Sequence, residues 1–197
     1  MTKGRLEAFS DGVLAIIITI MVLELKVPHG SDWAALSKLV PVFLSYVLSF
    51  IYVGIYWNNH HHLLAAARRV NGSVMWANLH LLFWLSLIPF VTGWMGENHF
   101  ASRPTALYGV ILLLSAIAYW IMQSRILALE ASDSPLRQAI GADIKGKISP
   151  VLYVVGATLA LWAPWAAGVL YALVACMWLV PDRRIEGAMA ISDTSHP

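Results

Sequence analysis

A chain of 197 residues that is 59% hydrophobic and 12% charged, with a mean hydropathy of +0.68, lies outside the composition of soluble domains, in which about a quarter of residues carry charge. The formal net charge of +2, with no basic cluster interleaved with aromatic residues, speaks against a nucleic-acid partner. The one cysteine, Cys176, excludes an intrachain disulfide and reads as a buried, inert thiol in the last apolar run.

The composition is that of an all-α integral membrane protein, and six segments approach the roughly 20 apolar residues that a span requires. They are Phe9–Val27, Leu36–Trp57, Val74–Met95, Thr105–Ile126, Ser149–Ala163 and Trp165–Val180. Lys3 and Arg5 ahead of the first run imitate a signal peptide, but the run is long and lacks a small-residue cleavage site before Glu24, so it is read as retained.

The first segment is the most marked. Arg5, Phe9, Ser10 and Asp11 lead directly into Gly12-Val-Leu-Ala-Ile-Ile-Ile-Thr-Ile-Met-Val-Leu23. An ionisable residue at the mouth of a span is costly, so Asp11 is a functional-site candidate. At 100° per residue, Gly12, Ile16, Thr19, Ile20, Leu23 and Val27 share one stripe, apolar apart from a single hydroxyl. Asp11 lies off the stripe and is expected to turn into the chain's own bundle, where it must find hydrogen-bond donors. Ordinary helix packing also produces such a stripe; the charged lead is what singles this one out.

The second segment ends in Trp57-Asn-Asn-His-His-His62, and the third carries Asn78 and His80. If the first helix starts on the side where the second ends, Asp11, His60, His61, His62 and Asn78 share one level, and a carboxylate accepting from imidazole, amide or indole N–H groups would fix the first helix rotationally. Ser45 and Ser49 lie deeper. Three consecutive histidines diverge by 100° on a regular helix, which argues against one metal ion held by all three. A proton relay through imidazoles is chemically open, since they titrate near neutral pH.

The long polar connection Leu127–Gly146 is expected to form a helix-turn near the membrane, without an extramembrane domain. Read as one helix, Ser149–Val180 would overshoot a ~30 Å core, so a tight hairpin around Pro164 is expected. Residues 1–181 then form the membrane domain and 182–197 a short polar tail. Placing the N-terminus in the cytoplasm leaves only Lys26, Lys38 and Arg103 outside, so both termini are assigned to the cytoplasm. Several Trp and Tyr residues near span ends, Trp33, Trp76, Trp120 and Trp162 among them, suit interfacial anchors. No phosphate loop, zinc spacing or nucleophile elbow is present.

Arg5-x-x-x-Phe9-Ser10-Asp11 at the first helix and Trp57-x-x-His60-His61 after the second resemble the transmembrane protein 175 family of potassium channels over nearly the whole chain. The family has two-repeat animal members and one-repeat prokaryotic members. A single Phe-Ser-Asp motif is similar to the latter, which form homotetramers, and this implies a multi-pass protein of a prokaryotic cell membrane. The resemblance implies a pore lined by the first helix, with no re-entrant filter loop. It implies a hydrophobic constriction at Ile16 and Leu23 with Ile20 between them, and a hydroxyl at Thr19 that bears on ion preference. Rings of bulky apolar side chains gate by dewetting, and threonine hydroxyls replace part of an ion's hydration shell.

The leading expectation is therefore a potassium-preferring monovalent cation channel and not an enzyme, with K+ as permeating ion, lipid and other copies of the chain as partners, and no cofactor, metal or nucleic acid. The alternative is a proton-coupled transporter or proton-conducting channel using Asp11 and His60–His62. Against a transporter stands the lack of an inverted repeat or paired broken helices; against an enzyme, the lack of a recognisable nucleophile or metal set.

Overall fold

Proline and asparagine set most of the helix boundaries. The computed structural model describes residues 2–131, 134–140 and 144–179. Among these lie α1 (Lys3–Leu23), α2 (Trp33–Ser37), α3 (Val40–Ala66), α4 (Gly72–Ser86), α5 (Ile88–Glu97), α6 (Ser102–Leu127), α7 (Pro135–Ile140), α8 (Ile144–Leu159) and α9 (Pro164–Leu179). Pro41, Pro89 and Pro164 each stand in a first turn, where the missing N–H is no loss. Asn71 caps α4 by accepting the Val74 N–H at 3.1 Å. The turn from α5 to α6 takes His99 and Phe100 through positive φ, and the Phe100 N–H closes onto Met95 O at 2.9 Å.

Three boundaries depart from the sequence reading. The second span does not end at Trp57: α3 runs on without a break through His60–His62 to Ala66. The third is two helices, because Pro89 supplies no N–H and α4 gives way to α5 at Leu87. The fifth begins early, α8 starting at Ile144 and not at Ser149, after a linker in which the expected helix-turn is the short helix α7. The tail 182–197, with the end of the sixth apolar segment, lies outside the described residues.

Four stretches among the described residues are long and apolar enough to cross a membrane: α1, α3, α4 with α5, and α6. Helices α8 and α9 are separate, parted between Leu159 and Pro164, and each has 16 residues. At 1.5 Å per residue that is about 24 Å, short of the ~30 Å hydrocarbon core.

Helix α3 is the shared wall. It packs on α1 and α5 on one side and on α9 on the other, while α6 packs on α4, α5, α8 and α9. The interior between α3, α6, α8 and α9 is built from Tyr52, Tyr108, Tyr153 and Tyr171, all buried. The hydroxyls of Tyr52, Tyr108 and Tyr171 are paired, as burial in a membrane protein demands. Tyr52 donates to Tyr171 O at 2.7 Å. Thr92 gives its proton to Ile88 O at 2.6 Å, so Ser49 donates to Thr92 at 2.6 Å and accepts from Tyr108 at 3.0 Å. Cys176, expected to be buried, is exposed on the outer face of α9, because Tyr171, Val174 and Ala175 form that helix's inner face.

Tyr171 fits only because Gly109 and Gly156 lack side chains: a Cβ on either would collide with its ring or hydroxyl, whereas one on Gly168 meets nothing within 4 Å. Gly156→Val is therefore expected to destabilise the fold by about 1–3 kcal/mol through overpacking. Gly168→Ala is expected to be neutral or stabilising by up to about 1 kcal/mol. Thermal unfolding of the purified protein in detergent distinguishes the two.

Candidate functional site

Helix α1 has two faces of opposite character. Leu6, Ser10, Leu14, Ile17 and Met21 recur at three- and four-residue spacing and are buried against α3, α4 and α5. Gly12, Ile16, Thr19, Ile20 and Leu23 lie on the other face; Val27, expected to continue the stripe, lies beyond the helix, which ends at Leu23. Ile16 is 57%, Ile20 42% and Leu23 78% exposed, while Leu14, Ile17 and Met21 are at most 3% exposed. Thr19 donates its hydroxyl proton to Ile16 O at 2.9 Å, which leaves the oxygen lone pairs facing outward.

The rotation of α1 is held by one buried chain of hydrogen bonds. Ser10 donates to Leu6 O at 2.9 Å, so its oxygen must accept from Asn78 Nδ2, also at 2.9 Å. The carboxamide oxygen of Asn78 then faces His60 Nε2 at 2.7 Å and accepts from it, which assigns the proton of His60 to Nε2. Ser10 and Asn78 are fully buried and His60 is 2% exposed. Three helices, α1, α4 and α3, are thus locked together at one level.

Asp11 does not join that chain. It is exposed, not turned into the bundle, because on α1 it falls between the buried face and the stripe. It accepts from Trp57 Nε1 at 3.0 Å. His61 stacks on the Trp57 indole, with centroids 6.1 Å apart and planes at 24°, and meets His62 edge-on at 5.6 Å. His62 Nδ1 is buried without a partner among the described residues. The three histidines therefore point to three surroundings. Arg5 and Phe9 are exposed, and Arg5 has no ion-pair or hydrogen-bond partner among the described residues. Ser45 and Ser49 serve helix packing: Ser45 donates to Val42 O at 2.8 Å, and Ser49 joins the Thr92–Tyr108 cluster. His80 accepts from Trp84 Nε1 at 2.9 Å on the outer face of α4.

Two residues of weight were missed in the sequence. Lys3, counted there only as a positive charge, donates to Ala65 O at 2.8 Å and Ala67 O at 3.1 Å and so caps the C-terminus of α3. Glu130, whose side chain is 2% exposed, accepts the Arg68 N–H at 3.0 Å and faces Arg68 Nε at 3.9 Å, fixing the loop that follows α3. A lysine one turn before a span was the available signal for the first; nothing local marked the second. At the far end of α1, Lys26 pairs with Glu97 at 2.6 Å, and this exposed carboxylate raises the lysine pKa. Among the described residues no set of three or more His, Cys, Asp or Glu is placed to hold a metal ion.

The chain resembles known channels in sequence and in fold. The family model described as "Endosomal/lysosomal potassium channel TMEM175" matches residues 5–89. A protein of Chryseobacterium sp. (strain P1-3) named potassium channel is 59% identical over 96% of this chain and 98% of its own length. The crystal structure of a lysosomal potassium-selective channel TMEM175 homolog from Chamaesiphon minutus superposes with a TM-score of 0.79 at 29% identity, covering 91% of this chain and 97% of that one. The human protein named endosomal/lysosomal proton channel TMEM175 is 34% identical over 53% of this chain, which spans 23% of it.

If Asn78 carries the chain that orients α1, Asn78→Ala leaves the buried His60 Nε2 unpaired and frees Ser10 from α4, and is expected to cost about 1–3 kcal/mol of stability. Trp57→Phe removes one exposed bond to Asp11 and is expected to cost under about 1 kcal/mol beyond its loss of contact area. Thermal unfolding in detergent ranks them, and equal costs would contradict the assignment.

Proposed function

The chain belongs to the TMEM175 family, and from that membership we propose that it is a potassium channel whose pore is lined by α1 in a homotetramer. The observation that carries the pore assignment is the outward stripe of α1. Ile16, Ile20 and Leu23 sit exposed on the helix whose opposite face is anchored by Ser10, and Thr19 stands among them. Four such stripes around an axis give a path ringed by isoleucine and leucine, narrow enough to dewet, with one ring of hydroxyls. An apolar ring offers no carbonyl cage, so the preference for K+ over Na+ is modest and Thr19 is its main source.

In this reading α8 and α9 complete six spans, thinning the bilayer locally to match their length, and both chain ends face the cytoplasm in a prokaryotic cell membrane. The permeating ion is K+, with lipid and three further copies as partners. Residues 1–181 are the channel domain and 182–197 its cytoplasmic tail. Arg5, Phe9 and Asp11, exposed in the single chain, lie where a neighbouring subunit would meet them. So does the groove of about 510 Å3 between α1 and α5, which Val13, Ile20 and Phe90 help to line.

Reconstitution into liposomes tests both levels of the proposal. Potassium flux is expected from the purified protein. Leu23→Ala and Ile16→Asn should each raise flux several-fold by easing dewetting, and Thr19→Val should lower the K+ to Na+ permeability ratio while leaving the fold intact. Equal flux and equal selectivity in all four proteins would reject the pore assignment, and no flux from a folded tetramer would reject the channel.

A further inference from the structure

The interior holds a second cavity, remote from α1, between α3, α6, α8 and α9. Its volume is about 130 Å3. That is close to the roughly 150 Å3 of an engineered cavity that stays dry and takes one benzene ring. The walls here are also largely aromatic, with Tyr56, Tyr119, Tyr153 and Trp178 among the lining side chains. Unlike an engineered void, this one contains unmet polarity. Gln123 is 8% exposed and lines the cavity, yet its carboxamide has no hydrogen-bond partner among the described residues, and the same holds for the Tyr56 hydroxyl. Both groups open onto the cavity instead of being sealed in its wall, so an occupant that stacks on the rings can also pair with the amide.

We propose that this cavity is a binding site for a single-ring aromatic molecule bearing a hydroxyl, and that its occupancy acts on the pore helix through α3. A phenolic hydroxyl donates to the Gln123 carbonyl and accepts from its N–H, while the ring packs against the tyrosines. Entry is open beside Trp120, exposed on α6, and Ser124, half-buried one turn on. The route to the pore is short. Tyr56 and Asn59 of α3 line the cavity, and their neighbours Trp57 and His60 hold Asp11 of α1 and Asn78 of α4. Binding stands independently of the channel reading, whereas the effect on flux rests on it.

The probe is 4-fluorophenol, followed by fluorine NMR with the full chain in lipid nanodiscs and with empty nanodiscs as the partition control. Saturable binding above that control is expected. Gln123→Leu should weaken it by about fivefold, as for one lost hydrogen bond, and Ala116→Phe, which fills the cavity, should abolish it. In liposomes 4-fluorophenol should change potassium flux through the unaltered protein and not through Ala116→Phe. Binding no greater than in empty nanodiscs, or equal in all three proteins, overturns the site. Saturable binding with flux unchanged overturns the link to the pore. Saturable binding by a folded protein that passes no potassium leaves the site standing and sinks the channel reading instead.

Discussion

The carboxamide of Asn78 is the part on which the rest depends. It is the one group that touches both Ser10 and His60, donating to the first and accepting from the second, and all three side chains are buried. In water such a bond is exchanged for another at little cost. Inside a membrane bundle the alternatives are few, and an unpaired partner pays its full desolvation penalty. The bonds run in one direction only, from His60 to Asn78 to Ser10 to Leu6 O, because each hydroxyl or amide proton is already committed. A one-position rotation of α1 would carry Ser10 away from Asn78 and strand the buried carboxamide N–H. The face that carries Ser10 must go in, and the face that carries Ile16, Thr19, Ile20 and Leu23 must go out.

Rotation alone would not place a helix, and both ends of α1 are tied. Lys3 holds its start to the last carbonyls of α3, and the Lys26–Glu97 pair ties the segment after its end to α5. The second tie is an exposed ion pair and contributes little to stability, but the first is a pair of hydrogen bonds to carbonyls that α3 leaves unsatisfied. On its other flank α3 rests on tyrosines whose hydroxyls pair with Ser49 and with backbone carbonyls. The fold therefore sets an aromatic body apart from α1, which packs on α3, α4 and α5.

Much of this was legible in the sequence for a physical reason. Apolar length marks spans, and a three-four spacing marks faces, so α1 and its stripe, the helical hairpin at Pro164 and the shared level of the Asp11 lead, Asn78 and His60 could be read from pattern. Which polar residue entered the bundle could not. Asp11 carries charge and drew the expectation, but Ser10 lies on the buried face and Asp11 sits a residue further around; helix phase decides, and the phase of a lead-in is ambiguous before the first packed turn. The break at Leu87 required weighing Pro89 against an unbroken apolar run, and the run masked it. Lys3 and Glu130 act on backbone groups far away in sequence, for which no local pattern exists.

The central claim is that the outward face of α1, and not its anchored face, meets the permeating ion. Single cysteines placed along α1 in a Cys176→Ser background, reacted with a charged thiol reagent during current recording, test it most directly; Cys176 must be replaced because it is exposed. The account predicts that reagent blocks current at Ile20→Cys and Leu23→Cys and leaves Ile17→Cys and Met21→Cys unaffected. Block at Ile17→Cys and Met21→Cys, with Ile20→Cys and Leu23→Cys silent, would contradict it.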